Sequence, residues 1–209
     1  NHKIPLKSNI KIFDNKIFLI DQDNQIFCLD TKDGSKIWNV FSISSFIKSQ
    51  TLMSLAVSKK GNLVAINSAA DLLNINTDDG KVYWSINTSE SLYSDAADFF
   101  KSSDIVLTEN EVIFSSISST YSLNLNNGYI NWKNFPTSSS RPIVDGHNVF
   151  LVTDRGYFVN LDRRTGALNR VVERGIKGIE NIVRLAILNT FPTIFEFIFV
   201  GLILLIQFD

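Results

Sequence analysis

The residues whose types could do chemistry are few and widely spaced. They are His2, His147, the single cysteine Cys28, and two acidic turns, "DQDN" at 21–24 and "TDDG" at 77–80. A histidine can serve as a base or a metal ligand near neutral pH. His2, however, is terminal, and His147 lies in "VDGHN", which reads as a solvated turn between strands. A cysteine attacks as its thiolate, but Cys28 stands in an alternating apolar run and reads as a small buried residue. The acidic turns superficially resemble calcium loops, yet neither continues with the ligand spacing of an EF-hand. No G-x-S-x-G, P-loop or H-E-x-x-H motif occurs. The expectation is no catalytic residue, no cofactor, no metal site and no identifiable small-molecule substrate.

The elements around these residues carry more information. The chain has 209 residues, room for one ordinary domain or one domain and an appendage. Its net charge of −1 gives no reason to expect a nucleic-acid partner. One cysteine excludes an intrachain disulfide and a cysteine-rich metal site. The chain opens at Asn1 with neither an initiator methionine nor a signal peptide. Its start is therefore expected to be trimmed, and this is no evidence for the cytosol. Abundant serine, asparagine and isoleucine favour strands and turns.

All three tryptophans stand four residues after a glycine: Gly34 and Trp38, Gly80 and Trp84, Gly128 and Trp132. A fourth copy has Gly166 with Arg170 at the tryptophan position. The segments "IFCLDTKDGSKIW", "LLNINTDDGKVYW", "TYSLNLNNGYINW" and "FVNLDRRTGALNR" align in register. Five residues before each glycine is Leu29, Ile75, Leu123 or Leu161, followed by Asp30, Asn76, Asn124 or Asp162. Glycines 46, 48 and 38 residues apart fit units of the size of a propeller blade. The alternating run before each turn predicts a strand, the Asx residue starts the turn, and the glycine supplies a left-handed conformation. Upstream strands are expected in "NKIFLID", "GNLVAIN", "NEVIFSS" and "HNVFLVT". Each unit is at least a three-stranded meander, with a further strand expected in the connecting segment. A large flat side chain repeated at one position suits an interlock between neighbouring blades.

This pattern resembles the pyrroloquinoline-quinone-type (quinoprotein-like) propeller repeat, over roughly residues 10–166. The resemblance implies that each tryptophan docks on the next blade. It also implies a full ring of about eight blades, so that four make about half a ring with open sheet faces. The family contains quinone-dependent dehydrogenases and non-catalytic scaffolds. Many of the dehydrogenases carry a vicinal cysteine pair, which one cysteine cannot form. The non-catalytic members include the propeller lipoproteins of bacterial outer-membrane protein assembly. Binding is then expected at blade-connecting loops or exposed strand edges.

Residues 1–162 carry 14 Lys+Arg against 17 Asp+Glu, and residues 163–209 carry 6 against 4. The second part also turns apolar from Ile182 to Phe208, broken by Arg184 and Glu196. That length is enough to cross a bilayer as a helix, which needs about 20 residues. The tail "RRTGALNRVVERGIKGIE" followed by "LNTFPTIFE" resembles the membrane domain of Atm1-type ABC exporters, with Asn189, Pro192, Thr193 and Glu196 in the family-like pattern. No Walker motif accompanies it.

The basic residues Arg163, Arg164, Arg170, Arg174, Lys177 and Arg184 would hold that end in the cytosol, whereas propellers of this type work in the periplasm. This conflict suggests a chimera joined at "RTG". The expected fold is thus mainly β. A partial propeller of about four antiparallel blades occupies 1–162. A basic linker and a transmembrane-type α-helical segment follow over 163–209. The expected function is a non-enzymatic scaffold for protein partners, periplasmic or membrane-associated, with the membrane reached through the C-terminal helix. The alternatives are a fragment of an ABC exporter membrane domain and a fragment of a quinone-dependent dehydrogenase.

Overall fold

The computed structural model describes residues 4–42, 52–88, 102–116, 118–172, 184 and 191–208. Sixteen strands and one helix occur among them. The first sheet contains β1 (Lys11–Phe13), β2 (Lys16–Ile20), β3 (Gln25–Asp30) and β4 (Lys36–Phe41). The second contains β5 (Ser54–Val57), β6 (Asn62–Ile66), β7 (Asp71–Asn76) and β8 (Val82–Asn87). The third contains β9 (Val106–Leu107), β10 (Glu111–Ser115), β11 (Thr120–Asn124) and β12 (Ile130–Asn134). The fourth contains β13 (Ile143–Asp145), β14 (Asn148–Val152), β15 (Phe158–Asp162) and β16 (Leu168–Val172). Strands pair in chain order within each sheet, as antiparallel meanders.

The alternation of side chains decides how the sheets share a core. In β6 and β7, Leu63, Ala65, Leu73 and Ile75 pack with Phe18, Ile20, Ile26 and Cys28 of the first sheet. Their neighbours Val64, Ile66 and Leu72 pack with Val112, Phe114 and Leu123 of the third. A third cluster joins Ile113 and Trp132 to Val149, Leu151, Val159 and Leu161 of the fourth. The middle strands are therefore apolar at successive positions, because both of their faces are covered.

The four turns share one construction. Gly34, Gly80, Gly128 and Gly166 have φ of 70–75°, a conformation a side chain opposes. Each glycine N–H donates to the carbonyl four residues earlier: Asp30, Asn76, Asn124 and Asp162, at 2.8–3.1 Å. The side chains of those same residues accept from the N–H two residues on, that of Lys32, Asp78, Asn126 or Arg164. The residue before each glycine closes the far side. Asp33, Asp79 and Asn127 accept from the N–H of Ser35, Lys81 and Tyr129, and the Thr165 hydroxyl accepts from that of Ala167. Behind the first three turns the register shifts at Cys28/Leu29, Asn74/Ile75 and Ser122/Leu123. The glycine thus produces a bulge as well as a turn.

Residues 163–172 complete the fourth sheet: the turn carries Arg163 and Arg164, and β16 follows. One compact unit runs to Val171 and a second covers Val172–Asp209. In the second unit, α1 (Phe191–Phe208) is the described helix. Pro192 stands in its first turn, where no N–H is lost from the hydrogen-bond ladder. At 18 residues, α1 is about 27 Å long at 1.5 Å per residue. The bilayer-spanning helix expected over Ile182–Phe208 is corrected here, since among the described residues no helix is long and apolar enough to cross a membrane. Phe197, Ile198, Phe199 and Val200, a full turn of α1, are all exposed.

The turn carboxyls give a pH-dependent expectation. The Thr165 hydroxyl and then its N–H hold the Asp162 carboxyl below its ordinary pKa, and the Ser35 N–H lowers that of Asp33 first. Lowered carboxyls stabilise the fold above their unfolded pKa, and that contribution is lost as pH falls through the folded value. Thr165→Val should raise the Asp162 midpoint in an NMR pH titration, leaving Asp33 where it is. An unmoved Asp162 midpoint would contradict the assignment.

Candidate functional site

The three tryptophans form the most regular constellation in the molecule. Trp38, on β4, lies against the turn of the second sheet, where a Cβ on Gly80 would stand 2.9 Å from its ring. Its Nε1 donates to the Thr77 carbonyl, three residues before that glycine, at 3.1 Å. Trp84 repeats this on Gly128 at 2.8 Å, donating to the Leu125 carbonyl at 2.8 Å. Trp132 repeats it on Gly166 at 2.6 Å, donating to the Arg163 carbonyl at 2.6 Å. Among the described residues, nothing beyond its own chain neighbours lies within 4 Å of where a Cβ on Gly34 would be. Each indole thus fills the space a side chain would need and satisfies a turn carbonyl.

Polar side chains add further ties between adjacent sheets. Asn74 Nδ2 donates to the same Leu125 carbonyl at 2.8 Å. Asn24 Oδ1 accepts from the Ser68 N–H and hydroxyl. Lys16 pairs with Asp78 at 2.5 Å, and Arg163 with Glu111 at 2.6 Å. The hydrogen bond that Lys16 donates to Asp78 raises the Lys16 pKa. Arg163 is therefore a blade residue, not the cytosolic flank of a membrane helix.

The other candidates fall into local structural roles. "DQDN" is the turn from β2 to β3, in which buried Asp21 accepts from the N–H groups of Asp23 and Gln25. "TDDG" is the second glycine turn. Cys28 is buried, and burial pushes its thiol up to about 11, against reactivity at neutral pH. His147 is exposed in the turn between β13 and β14. Among the described residues, no three His, Cys, Asp or Glu side chains are grouped to hold a metal ion. In the tail, Pro192, Thr193 and Glu196 belong to α1, with Glu196 exposed, while Asn189 lies outside the described residues, as does His2.

The expectation of binding at exposed strand edges named no residues there. Phe41, Tyr83, Tyr129 and Phe135 lie on or beside β4, β8 and β12, and are 72%, 50%, 75% and 86% exposed. Among the described residues, each of these strands is the last of its sheet, with one edge unpaired by the meander. The available signal was an aromatic residue on the solvent side of a strand that also carries the interlocking tryptophan.

Four-stranded meanders stacked through tryptophan and glycine make the first unit a propeller-type segment of the pyrroloquinoline-quinone repeat class. Residues 4–171 match the family described as outer membrane protein assembly factor BamB, and the chain belongs to that family. Solved structures agree on the fold. BamB from Moraxella catarrhalis superposes with a TM-score of 0.62 at 15% identity, over 82% of this chain and 54% of its own. Quinohemoprotein alcohol dehydrogenase from Comamonas testosteroni gives 0.62 at 12%, over 80% and 35%. The computationally designed Ika8 protein gives 0.57 at 14%, over 78% and 47%. This chain thus spans about half the length of that BamB and about a third of that dehydrogenase. No curated protein matches the sequence. The exporter resemblance and the chimera inferred from it find no support: the family match runs through the "RTG" junction to residue 171.

The interlock geometry predicts unequal glycine substitutions. Gly34→Ala meets only left-handed strain, about 1–2 kcal/mol. Gly80→Ala adds overlap with the Trp38 ring, about 1–3 kcal/mol more. Trp38→Ala leaves a cavity costing about 3–5 kcal/mol. Denaturant unfolding reads all three, and equal losses at Gly34 and Gly80 would refute the contact.

Proposed function

We propose that this protein is a non-catalytic propeller scaffold that binds protein partners in bacterial outer-membrane protein assembly, in the periplasm or at the outer membrane. The family match over residues 4–171 carries this reading. The exposed edges of β4, β8 and β12 support it physically. An unpaired strand edge can add an extended polypeptide through its backbone groups, and flanking aromatics supply contact area. Such binding requires no catalytic residue, in keeping with turn acids and a buried thiol that serve the fold.

The test is restoration of outer-membrane β-barrel levels in a bacterium lacking its own BamB, with the chain directed to the periplasm. We expect restoration by the native chain, and at least a several-fold loss for Tyr83→Asp with Tyr129→Asp and Phe135→Asp at unchanged abundance. No restoration by an abundant, folded native chain would sink the reading. The likeness to a quinohemoprotein dehydrogenase sustains a second reading, quinone binding. An absorbance titration with pyrroloquinoline quinone and calcium is expected to show no saturable change; saturable binding would favour the dehydrogenase instead.

A further inference from the structure

The third glycine turn joins a side chain and a backbone nitrogen that can react with each other. Asn127–Gly128 is the one Asn–Gly step in the chain. At such a step the glycine nitrogen can attack the asparagine side-chain carbonyl carbon, because no side chain on the glycine hinders the approach. The new N–C bond closes a five-membered imide, the amide proton passes to solvent base, and ammonia leaves. Water then opens the imide at either carbonyl, giving aspartate or isoaspartate. The attack needs the nitrogen aligned on the carbon, and this turn holds it elsewhere. The Gly128 N–H donates to the Asn124 carbonyl at 2.9 Å, and Asn127 Oδ1 accepts from the Tyr129 N–H at 3.0 Å. Asn127 is exposed, but Gly128 is buried. The Trp84 ring fills the side where a Cβ would stand, 2.8 Å away. The same indole and Asn74 both bond the Leu125 carbonyl at the start of the turn. Turning the peptide between 127 and 128 toward the side-chain carbon breaks the bond to Asn124 and presses Gly128 against that ring.

We propose that Asn127 is a deamidation site gated by Trp84, modified when the interlock between the second and third sheets opens. The two products differ in consequence. Asp33 and Asp79 fill this position in the first two turns and accept the same backbone bond, so aspartate fits the turn. Isoaspartate inserts an extra backbone carbon before Gly128 and moves the glycine out of the register the ring requires. One product of the opening thus makes the opening permanent. The proposal goes beyond the assembly function, since it concerns a contact between sheets and not the outer edges.

The test is to hold the full chain at mildly alkaline pH and time deamidation at Asn127 by peptide mapping with mass spectrometry. The chain in concentrated urea sets the unprotected rate. We expect the folded chain to react at least tenfold more slowly. Trp84→Phe should recover much of that difference, and Trp38→Phe, at the neighbouring interface, much less. Equal rates folded and unfolded would overturn the proposal. So would an unchanged rate in Trp84→Phe, or an equal rise in Trp38→Phe, which would assign the protection to overall stability. The native chain gives a second reading that needs no variant. Below the unfolding transition, the rate should rise with urea more shallowly than global unfolding does, as a local opening requires. Identical slopes would mean reaction through global unfolding alone and would overturn the gate. Asn127→Asp should unfold at the midpoint of the native chain, and the purified isoaspartate form at a lower one.

Discussion

The contact between an indole and the turn glycine of the next sheet is the constraint on which the rest depends. It needs a flat ring four residues after one glycine, a residue without a Cβ on the neighbouring sheet, and a turn carbonyl aimed at the ring nitrogen. All three occur at Trp38, Trp84 and Trp132. Glycine is required twice at the same position, because φ near +70° closes the turn and the missing side chain admits the ring. A single residue type thus links local hairpin geometry to packing between sheets.

That linkage makes neighbouring sheets interdependent. The second sheet has no independent core, since alternate residues of β6 and β7 belong to the clusters on either side. Burial of Leu63 and Ile75 depends on the first sheet, and burial of Val64 and Leu72 on the third. Stability in such a stack is a sum of nearest-neighbour terms. A defect in one interface should therefore weaken two sheets and leave more distant ones less affected.

The repeat was legible because each of its columns has a local cause. Asp30, Asn76, Asn124 and Asp162 start turns by accepting backbone hydrogen bonds, and the glycines follow at fixed distance. The first strand of three of the sheets was only partly legible: β9 has two residues and β1 and β13 three, too short for a period to show. Which glycine a tryptophan covers was unreadable from spacing alone, since the partner lies about forty residues away. The change of composition at residue 163 misled for a physical reason. Arg163 and Arg164 look like a membrane flank, yet the turn places one against Glu111 and keeps its carbonyl for Trp132. A charged residue in a hairpin and one beside a bilayer are indistinguishable until the pairing of strands is known.

The polar groups explain where function can reside. Buried Asp21 and Asp71 sit in turns or beside them, and Asp71 accepts from Asn67 and Asn87. The serines and threonines around β10 and β11 bond to one another or to the backbone. A buried thiol raised to about 11 is a poor nucleophile at neutral pH, and these carboxylates are engaged in bonds within their own sheets. The interior chemistry therefore serves the fold. Among the described residues of the four sheets, backbone groups along the outer strands and apolar surface on the fourth sheet are not consumed by it. The proposed recognition of other polypeptides would draw on what this architecture leaves exposed.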